Sequence, residues 1–282
     1  MKLAPGLFWD DTPESRAEAR AARRIRVQPA IPDTGWMLPR FFPDLSGARA
    51  IAIDCETKDP DLLKRGPGWA RGKGHIVGVA IGTDDGRRWY FPMRHEVEPE
   101  NNIDPAAVLA WLRVELSRPH QSKIGANLIY DLGWLAHEGV YVQGELHDVQ
   151  YAEALLDEAK SVNLDDLGIR YLNEPKTSDV LYKWLADYYG GAADDKQRAN
   201  IYRAPARLVG PYAEGDVDLP FRVLERQWPL LEREGLVDLY RLECRLMPLI
   251  ISMRFAGVTI DLLAAEKLRD DLAAEVTNDK RD

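Results

Sequence analysis

Four carboxylic acids and one phenol fall into three short clusters that lie far apart in the chain. They are Asp54 and Glu56 in IAIDCET, Asp131 in GANLIYD, and Tyr212 with Asp216 in YAEGD. Acids brought close together repel one another, and divalent cations offset that repulsion without protonating them. Because the ligand atoms are all oxygens, the set favours a hard ion, Mg²⁺ or Mn²⁺, over zinc.

The first cluster is predicted to lie on a strand. Ile51, Ile53 and Cys55 alternate with Asp54 and Glu56. This period of two places both carboxylates on one face and the apolar side chains on the other. The strand therefore presents its two acids in the same direction.

The second and third clusters are predicted on helices. Asn127 follows the β-like run KIGA and is a suitable N-cap for a helix that carries Asp131 inward. Tyr212 and Asp216 are four residues apart, so on a helix their side chains share one face. Three elements distant in sequence would thus direct four carboxylates and one phenol to a single point.

The order D-x-E, N-x-x-x-D, Y-x-x-x-D resembles the three motifs of the DEDDy group of DnaQ-like 3′–5′ exonucleases. Within that group the chain is most similar to the proofreading domain of family A DNA polymerases, especially those of bacteriophages. The supporting matches are DxET ending at Thr57, NLxYD from Asn127, LDDL from Leu164 and YAxxD from Tyr212. Any single motif is weak, but three in this order are specific. The resemblance covers residues 47–234 and continues weakly beyond.

The resemblance implies an α/β fold, an RNase H-like mixed sheet flanked by helices with a helical C-terminal tail. It implies two divalent cations, Mg²⁺ or Mn²⁺, one bound by Asp54, Glu56 and Asp216 and the second held by Asp54 and Asp131. Tyr212 would orient the attacking water together with Glu56. The expected reaction releases nucleoside 5′-monophosphates from a single-stranded DNA 3′ end, with these five residues as the catalytic set.

The net charge of −9 is unusual for a protein that holds DNA, since phosphate binding generally leaves a basic footprint. The catalytic acids contribute to the excess, and the basic residues are clustered. One group follows the first motif and another precedes the third. Solvated loop charge is the competing interpretation of both groups. The predicted DNA contacts are Thr57, Arg71, Lys73, Asn127, Arg203 and Arg207, with Lys64, Arg65, His75 and Arg198 in the same clusters.

The surrounding sequence predicts the elements that hold these motifs. HIVGVAIGT and RRWYFPM, joined by DDG, are typical of a hairpin beside the first strand. A helix is predicted from Pro105 to Leu116 with Asp104 as its cap. ELHDV predicts an edge strand, and Asp148 is expected to cap a helix that runs through Leu156.

Further along, LDDLGIRYL and SDVLYKWLADYY are predicted helices, and residues 190–205 are expected to form a flexible excursion over the site. Pro220 lies in the predicted Tyr212 helix and favours a kink there. A helix-prone piece, PESRAEARAARRIR, lies near the N-terminus. The expected divisions are an N-terminal extension (1–46), an exonuclease domain (47–234) and a helical segment (235–282) that resembles the truncated start of a family A polymerase domain.

Bulk properties narrow the class of protein. A chain of 282 residues suggests one core of about 150–200 residues with appendages. No apolar run approaches the ~18 residues of a membrane span, and no signal-peptide pattern is seen, which predicts no membrane partner and a cytoplasmic location, such as a phage-infected bacterium. Cys55 and Cys244 are expected to be free thiols.

Two other functions remain open at this point. The same acids would serve an RNA-trimming exonuclease, although the polymerase-like tail argues against it. A catalytically silent module that positions DNA for a polymerase is opposed by the complete acid set. The expected partners are a single-stranded DNA 3′ end and a polymerase domain in cis or in trans, and the chain reads equally as a fragment or as a stand-alone exonuclease.

Overall fold

The computed structural model describes residues 29–174 and 179–279. The strands are β1 Ala50–Lys58, β2 His75–Thr83, β3 Arg88–Pro92, β4 Ser122–Gly125 and β5 Leu146–Asp148. The helices are α1 Leu62–Arg65, α2 Pro105–Glu115, α3 Leu128–His137, α4 Val149–Leu156, α5 Leu164–Leu172, α6 Asp179–Tyr189, α7 Ala206–Arg233, α8 Val237–Ala256 and α9 Leu262–Asp279. Short 3-10 helices span Gly68–Arg71, Pro99–Asn101 and Asp195–Arg203.

The five strands form one mixed sheet in the order β3-β2-β1-β4-β5. β2 and β3 pair antiparallel and form the predicted hairpin. β2 also pairs antiparallel with β1. β4 pairs parallel with β1, and β5 pairs parallel with β4 as the predicted edge strand. The strand that carries the D-x-E motif is therefore the centre of the sheet.

Both faces of β1 are covered. Ile51, Ile53 and Cys55 lie in the main core, under helices that follow β3 and β4. Ala52 lies on the other face, in a second core that includes residues of α6 and α7. The predicted alternation is confirmed, and the acid-bearing face is the one that α7 covers.

Small residues let α7 approach this face closely. A Cβ atom on Gly82 would lie 2.9 Å from the backbone oxygen of Val217, closer than packed atoms normally come. Ala52 and Ala80 are fully buried on the same side. The helix that carries the Y-x-x-x-D motif therefore packs directly on the sheet.

Helix α7 runs without interruption through three prolines, Pro211, Pro220 and Pro229. Proline inside a helix removes one hydrogen bond and crowds the carbonyl four residues earlier. The kink that Pro220 favours stays a prediction, because the helix is continuous on either side of it.

The local predictions have different outcomes. The Asp104 carboxylate accepts a hydrogen bond from the Ala106 N–H at 3.2 Å and caps α2. The flexible excursion predicted for residues 190–205 is wrong in part. Residues 195–203 form a 3-10 helix that buries Gln197 and Ile201, because Ile201 packs into the second core. The helix-prone piece PESRAEARAARRIR lies outside the described residues.

Residues 29–36 pack on the helices of the second core. Trp36 donates a hydrogen bond from its indole Nε1 to Glu214 Oε1 at 2.8 Å. Its ring occupies the space beside Gly210, where a Cβ atom would lie 2.3 Å from the indole. Trp184 of α6 donates from Nε1 to the carbonyl of Pro29 at 3.3 Å. This part of the chain therefore covers the outer side of α6 and α7.

The C-terminal part is helical, as predicted. α8 packs into the main core through Tyr240, Cys244 and Met247, whereas the described side chains of α9 are exposed. Both cysteines are free and buried. In the described ranges, no helix combines the length and apolar character that a membrane crossing requires.

Candidate active site

Three acids from two elements meet beside the C-terminal half of β1. Asp54 and Glu56 of β1 and Asp216 of α7 place carboxylate oxygens within 4.8 Å of one another. Glu56 and Asp216 are buried, and Asp54 is partly exposed. Three carboxylates at this spacing repel one another, so the arrangement favours a bound cation.

Asp131 is bound to the main chain of the same strand. Its carboxylate Oδ1 accepts a hydrogen bond from the Cys55 N–H at 2.9 Å. Burial raises the pKa of Asp131 well above its usual value, and the neighbouring charge of Asp54 raises it further. The predicted fourth acid is therefore held beside the cluster, in electrostatic contact with it.

The capping role predicted for Asn127 is wrong. Asn127 does occupy the N-cap position of α3, but its backbone is left-handed (φ 60°) and its side chain makes no capping hydrogen bond. The cap is Asp148, which accepts from the N–H groups of Asn127 at 3.2 Å and Leu128 at 2.6 Å. The side chain of Asn127 is exposed instead.

Asp148 also caps α4, as predicted, by accepting from Gln150 N at 2.8 Å. Burial raises its pKa to about 6, although the backbone N–H groups oppose that rise. One carboxylate thus fixes the starts of two helices, including the helix that presents Asp131.

Tyr212 lies one helical turn before Asp216 and is buried beside the acids. Its hydroxyl accepts a hydrogen bond from the Tyr182 hydroxyl at 3.1 Å. Tyr182 in turn accepts from Arg198 Nε at 3.0 Å. Burial raises the pKa of Tyr212 well above its usual value, and Asp216 and Glu56 add to the rise. The phenol is therefore neutral at physiological pH.

Sequence reasoning missed this pair of partners. In the sequence, Arg198 stands out only as one member of a basic cluster. No motif distinguishes Tyr182 from the other aromatic residues of SDVLYKWLADYY. A buried tyrosine generally requires a partner for its hydroxyl. That rule indicates that Tyr212 needs a hydrogen-bond partner if it is buried. It does not indicate which residue supplies that partner.

Thr57 joins the end of β1 to the following loop. Its hydroxyl lies 2.8 Å from the Tyr130 hydroxyl. Tyr130 also donates to Asp59 Oδ2 at 3.1 Å, and the same oxygen accepts from Gly68 N at 2.8 Å. The loop that carries Arg71 and Lys73 is thereby tied to the strand of the D-x-E motif.

The arginines predicted to contact DNA already have protein partners. Arg71 donates to the Gly66 carbonyl at 3.2 Å, and Arg207 donates to Glu98 Oε1 at 2.5 Å. Arg203 lies over the ring of Tyr202, 4.9 Å from its centroid. Lys73 is exposed. Their contacts with DNA stay a prediction.

The donor set fits the predicted cations. Asp54, Glu56 and Asp216 offer carboxylate oxygens alone, which suit hard ions such as Mg²⁺ and Mn²⁺. The thiol of Cys55, a soft ligand on the same strand, is buried in the main core on the opposite face. In the part of the chain that the structure describes, this is the one group of three or more such ligand atoms this close together.

A family model described as 3′–5′ exonuclease (DNA_pol_A_exo1) matches residues 30–232. The chain belongs to this 3′–5′ exonuclease family. The match covers well over half of the chain and includes all five residues of the three motifs. The resemblance inferred from those motifs is therefore confirmed for the family.

Relatives of this exonuclease are phage DNA polymerases. The DNA-directed DNA polymerase of Pseudomonas phage M6 is 35% identical over 232 residues, which are 80% of this chain and 34% of the polymerase. DNA polymerase DpoZ of Salmonella phage PMBT28 is 30% identical over 245 residues, 86% of this chain and 36% of the polymerase. The chain spans about a third of the length of these relatives.

Solved structures confirm the predicted RNase H-like fold. Brucella melitensis NrnC matches with a TM-score of 0.54 at 18% identity, covering 77% of this chain and 90% of NrnC. NrnC is also known with bound Mg²⁺. At 18% identity this similarity shows only a shared fold, which is a mixed sheet with helices on both faces.

Proposed function

We propose that the chain removes nucleoside 5′-monophosphates from the 3′ end of single-stranded DNA by metal-dependent hydrolysis, as the proofreading part of a DNA polymerase. The observation that carries the proposal is the meeting of Asp54, Glu56 and Asp216 within 4.8 Å. Tyr212 lies one turn from Asp216, and Asp131 is fixed to the backbone of the same strand. Such a set suits phosphodiester hydrolysis.

The four acids share the binding of the cations in this proposal. Asp54, Glu56 and Asp216 would hold one cation, and Asp54 and Asp131 would hold a second. Bound Mg²⁺ or Mn²⁺ supplies charge neutralisation at the phosphate and lowers the pKa of a bound water. Glu56 would accept a hydrogen bond from the attacking water, whose oxygen forms the new bond to phosphorus as the bond to the 3′ oxygen breaks. The water gives up one proton to solvent by way of Glu56, and the leaving 3′ oxygen takes up a proton from solvent to become the new 3′ hydroxyl.

Tyr212 is suited to orient that water because it stays neutral. A tyrosine hydroxyl keeps its proton at neutral pH, and burial moves the pKa of Tyr212 further from that pH, so the group can donate a hydrogen bond. Its ring is packed in the second core with Val217 and Leu208. The hydroxyl is consequently held in one position relative to the acids.

The partner in this proposal is a polymerase domain, supplied in cis or in trans. The phage relatives support it, since they are DNA polymerases about three times as long as the matched region. They also favour DNA over RNA as the substrate, and they favour an intracellular location.

The test is an assay of the purified chain with single-stranded DNA labelled at its 5′ end. We expect stepwise shortening from the 3′ end in Mg²⁺ or Mn²⁺ and none in EDTA. Asp54→Asn should be inactive. Asp84→Asn is the matched control, because Asp84 pairs with the exposed Arg49 at the other end of β1.

Three outcomes would contradict the proposal. They are shortening that survives EDTA, shortening from the 5′ end, and full activity of Asp54→Asn. An RNA strand of the same sequence, tested in parallel, decides between DNA proofreading and RNA trimming. Faster removal of ribonucleotides would favour the RNA function.

A further inference from the structure

Three side chains from three different elements form a linear chain of hydrogen bonds that ends at the catalytic tyrosine. Arg198 of the 195–203 segment donates from Nε to the Tyr182 hydroxyl of α6 at 3.0 Å. Tyr182 donates to the Tyr212 hydroxyl of α7 at 3.1 Å. The two phenol rings lie 5.7 Å apart between centroids.

Both hydrogen bonds of this chain have a defined direction, the first because of the chemistry of Arg198 and the second because the Tyr182 hydroxyl donates to Tyr212. A guanidinium group has donors and no acceptor, so the Tyr182 oxygen must accept from Arg198. The single proton of Tyr182 is used in the hydrogen bond to Tyr212, whose oxygen is the acceptor. The proton of Tyr212 cannot point back along the chain and is directed elsewhere.

The surroundings strengthen this polarity. Both tyrosines are 4% exposed, and hydrogen bonds in series polarise one another in a medium of low dielectric constant. At the other end of the guanidinium, Nη2 of Arg198 lies 3.9 Å from Oδ2 of Asp165. Arg198 is thereby held between α5 and the tyrosine pair while half of its side chain remains exposed.

We propose that Tyr182 and Arg198 are positioning residues that fix the Tyr212 hydroxyl as a hydrogen-bond donor toward the reacting oxygen. This inference rests on the proposed function of the site. A phenol hydroxyl without such a neighbour can present either its proton or its lone pair to water. With Tyr182 donating to it, Tyr212 presents its proton.

A different role for Arg198 gives a different kinetic result. If its main task were to bind a DNA phosphate, replacing it would weaken substrate binding whether or not Tyr212 had a hydroxyl. A positioning role acts through Tyr212, so it affects the chemical step and vanishes when that hydroxyl is absent. Double-mutant cycles separate the two roles.

The kinetic experiment uses the full chain with Mn²⁺ and labelled single-stranded DNA. Tyr182→Phe should lower kcat about tenfold, the scale of one hydrogen bond, with little change in KM. In a Tyr212→Phe background the same change should have no further effect. Arg198→Met should behave like Tyr182→Phe, and Arg198→Lys, which keeps a donor, should restore part of kcat.

The matched control is Tyr171→Phe. Tyr171 lies in α5, and its hydroxyl donates to Glu153 Oε2 of α4 at 2.6 Å. Glu153 is not a member of the cluster of Asp54, Glu56 and Asp216. The kcat of Tyr171→Phe should match that of the parent. Additive losses for Tyr182→Phe and Tyr212→Phe would overturn the proposal, as would a rise in KM for Arg198→Met that persists in the Tyr212→Phe background.

A second readout does not depend on activity. Urea unfolding midpoints in EDTA should be non-additive for the pair Tyr182→Phe and Tyr212→Phe, and additive for the pair Tyr171→Phe and Tyr212→Phe. Additive midpoints for the first pair would overturn the hydrogen-bonded chain. A parent that does not shorten single-stranded DNA would contradict the proposed function, and the unfolding cycle would still decide whether the tyrosines are coupled.

Discussion

The carboxylate of Asp131 accepts the backbone N–H of Cys55 at 2.9 Å, so α3 is joined to β1 between the two acids of the D-x-E motif. Cys55 is the residue that separates Asp54 from Glu56. A hydrogen bond to the main chain at this point holds Asp131 at a fixed position relative to both acids. The geometry of the four acids is therefore set by the fold, and a cation would complete it.

The charge of this cluster should appear in the stability of the protein. Asp54→Asn removes one of the mutually repelling acids, so the melting temperature in EDTA should stay the same or rise, while activity is lost. Mn²⁺ at ~100 times its dissociation constant should stabilise the parent by about 2.7 kcal/mol and the variant by much less. Thermal unfolding with and without Mn²⁺ measures both. An equal gain in the two proteins would argue that Asp54 is a structural residue.

Tyr212→Phe should separate metal binding from catalysis. The change removes a hydroxyl and no metal ligand, so hydrolysis should slow by ~10²-fold, the scale of one positioned proton or dipole. The affinity for Mn²⁺, measured by calorimetry, should be almost unchanged. Parallel loss of affinity and rate would mean that the tyrosine has another role.

Asp148→Ala should cost more stability than the loss of a cap that serves one helix. Asp148 caps α3 and α4 together, and each N-cap contributes about 0.5–2 kcal/mol. We expect a loss of about 2 kcal/mol or more in the free energy of unfolding, measured in urea. Asp104→Ala, which removes the single cap of α2, is the comparison and should cost about 1 kcal/mol. Equal losses would contradict the double role.

His95 should make stability depend on pH. Its ring is buried, with Nε2 2.7 Å from the Tyr90 hydroxyl, and burial lowers its pKa to about 4. Between pH 6.5 and 4 the unfolded chain binds a proton that the folded state does not. The free energy of unfolding should thus fall by about 2 kcal/mol from pH 7 to pH 5 on account of this group.

The measurement is urea unfolding at the two pH values. His95→Gln should remove that part of the pH dependence, whereas His120→Gln, at an exposed position, should keep it. The same slope in His95→Gln and in the parent would rule out His95 as its source.

The sequence alone points to the acids of the candidate site because their signal is local. Alternation around Asp54 marks the strand, and the spacing of Tyr212 and Asp216 marks one helical face. Even so, the local pattern predicts a cap at Asn127, whereas Asp148 caps the helix and the Asn127 side chain makes no capping hydrogen bond. The carboxylate that caps this helix comes from the end of a neighbouring strand. The local sequence around the helix start therefore does not predict it.

The partners of Tyr212 could not be predicted for a related reason. Tyr182 precedes Tyr212 by 30 residues, and the two hydroxyls meet because α6 and α7 share the second core. Periodicity identifies each helix and its buried side. It does not give the rotation of one helix relative to another, which decides whether two phenols touch.

The contact between Trp36 and Gly210 bears on where the exonuclease can be shortened. The indole fills the space over a glycine on the helix that holds Tyr212 and Asp216, and it is anchored there by Glu214. A truncated chain that began at residue 47, just before β1, would leave a groove on the outer surface of that helix. The smallest piece that folds and remains soluble on its own should therefore include residues 29–36.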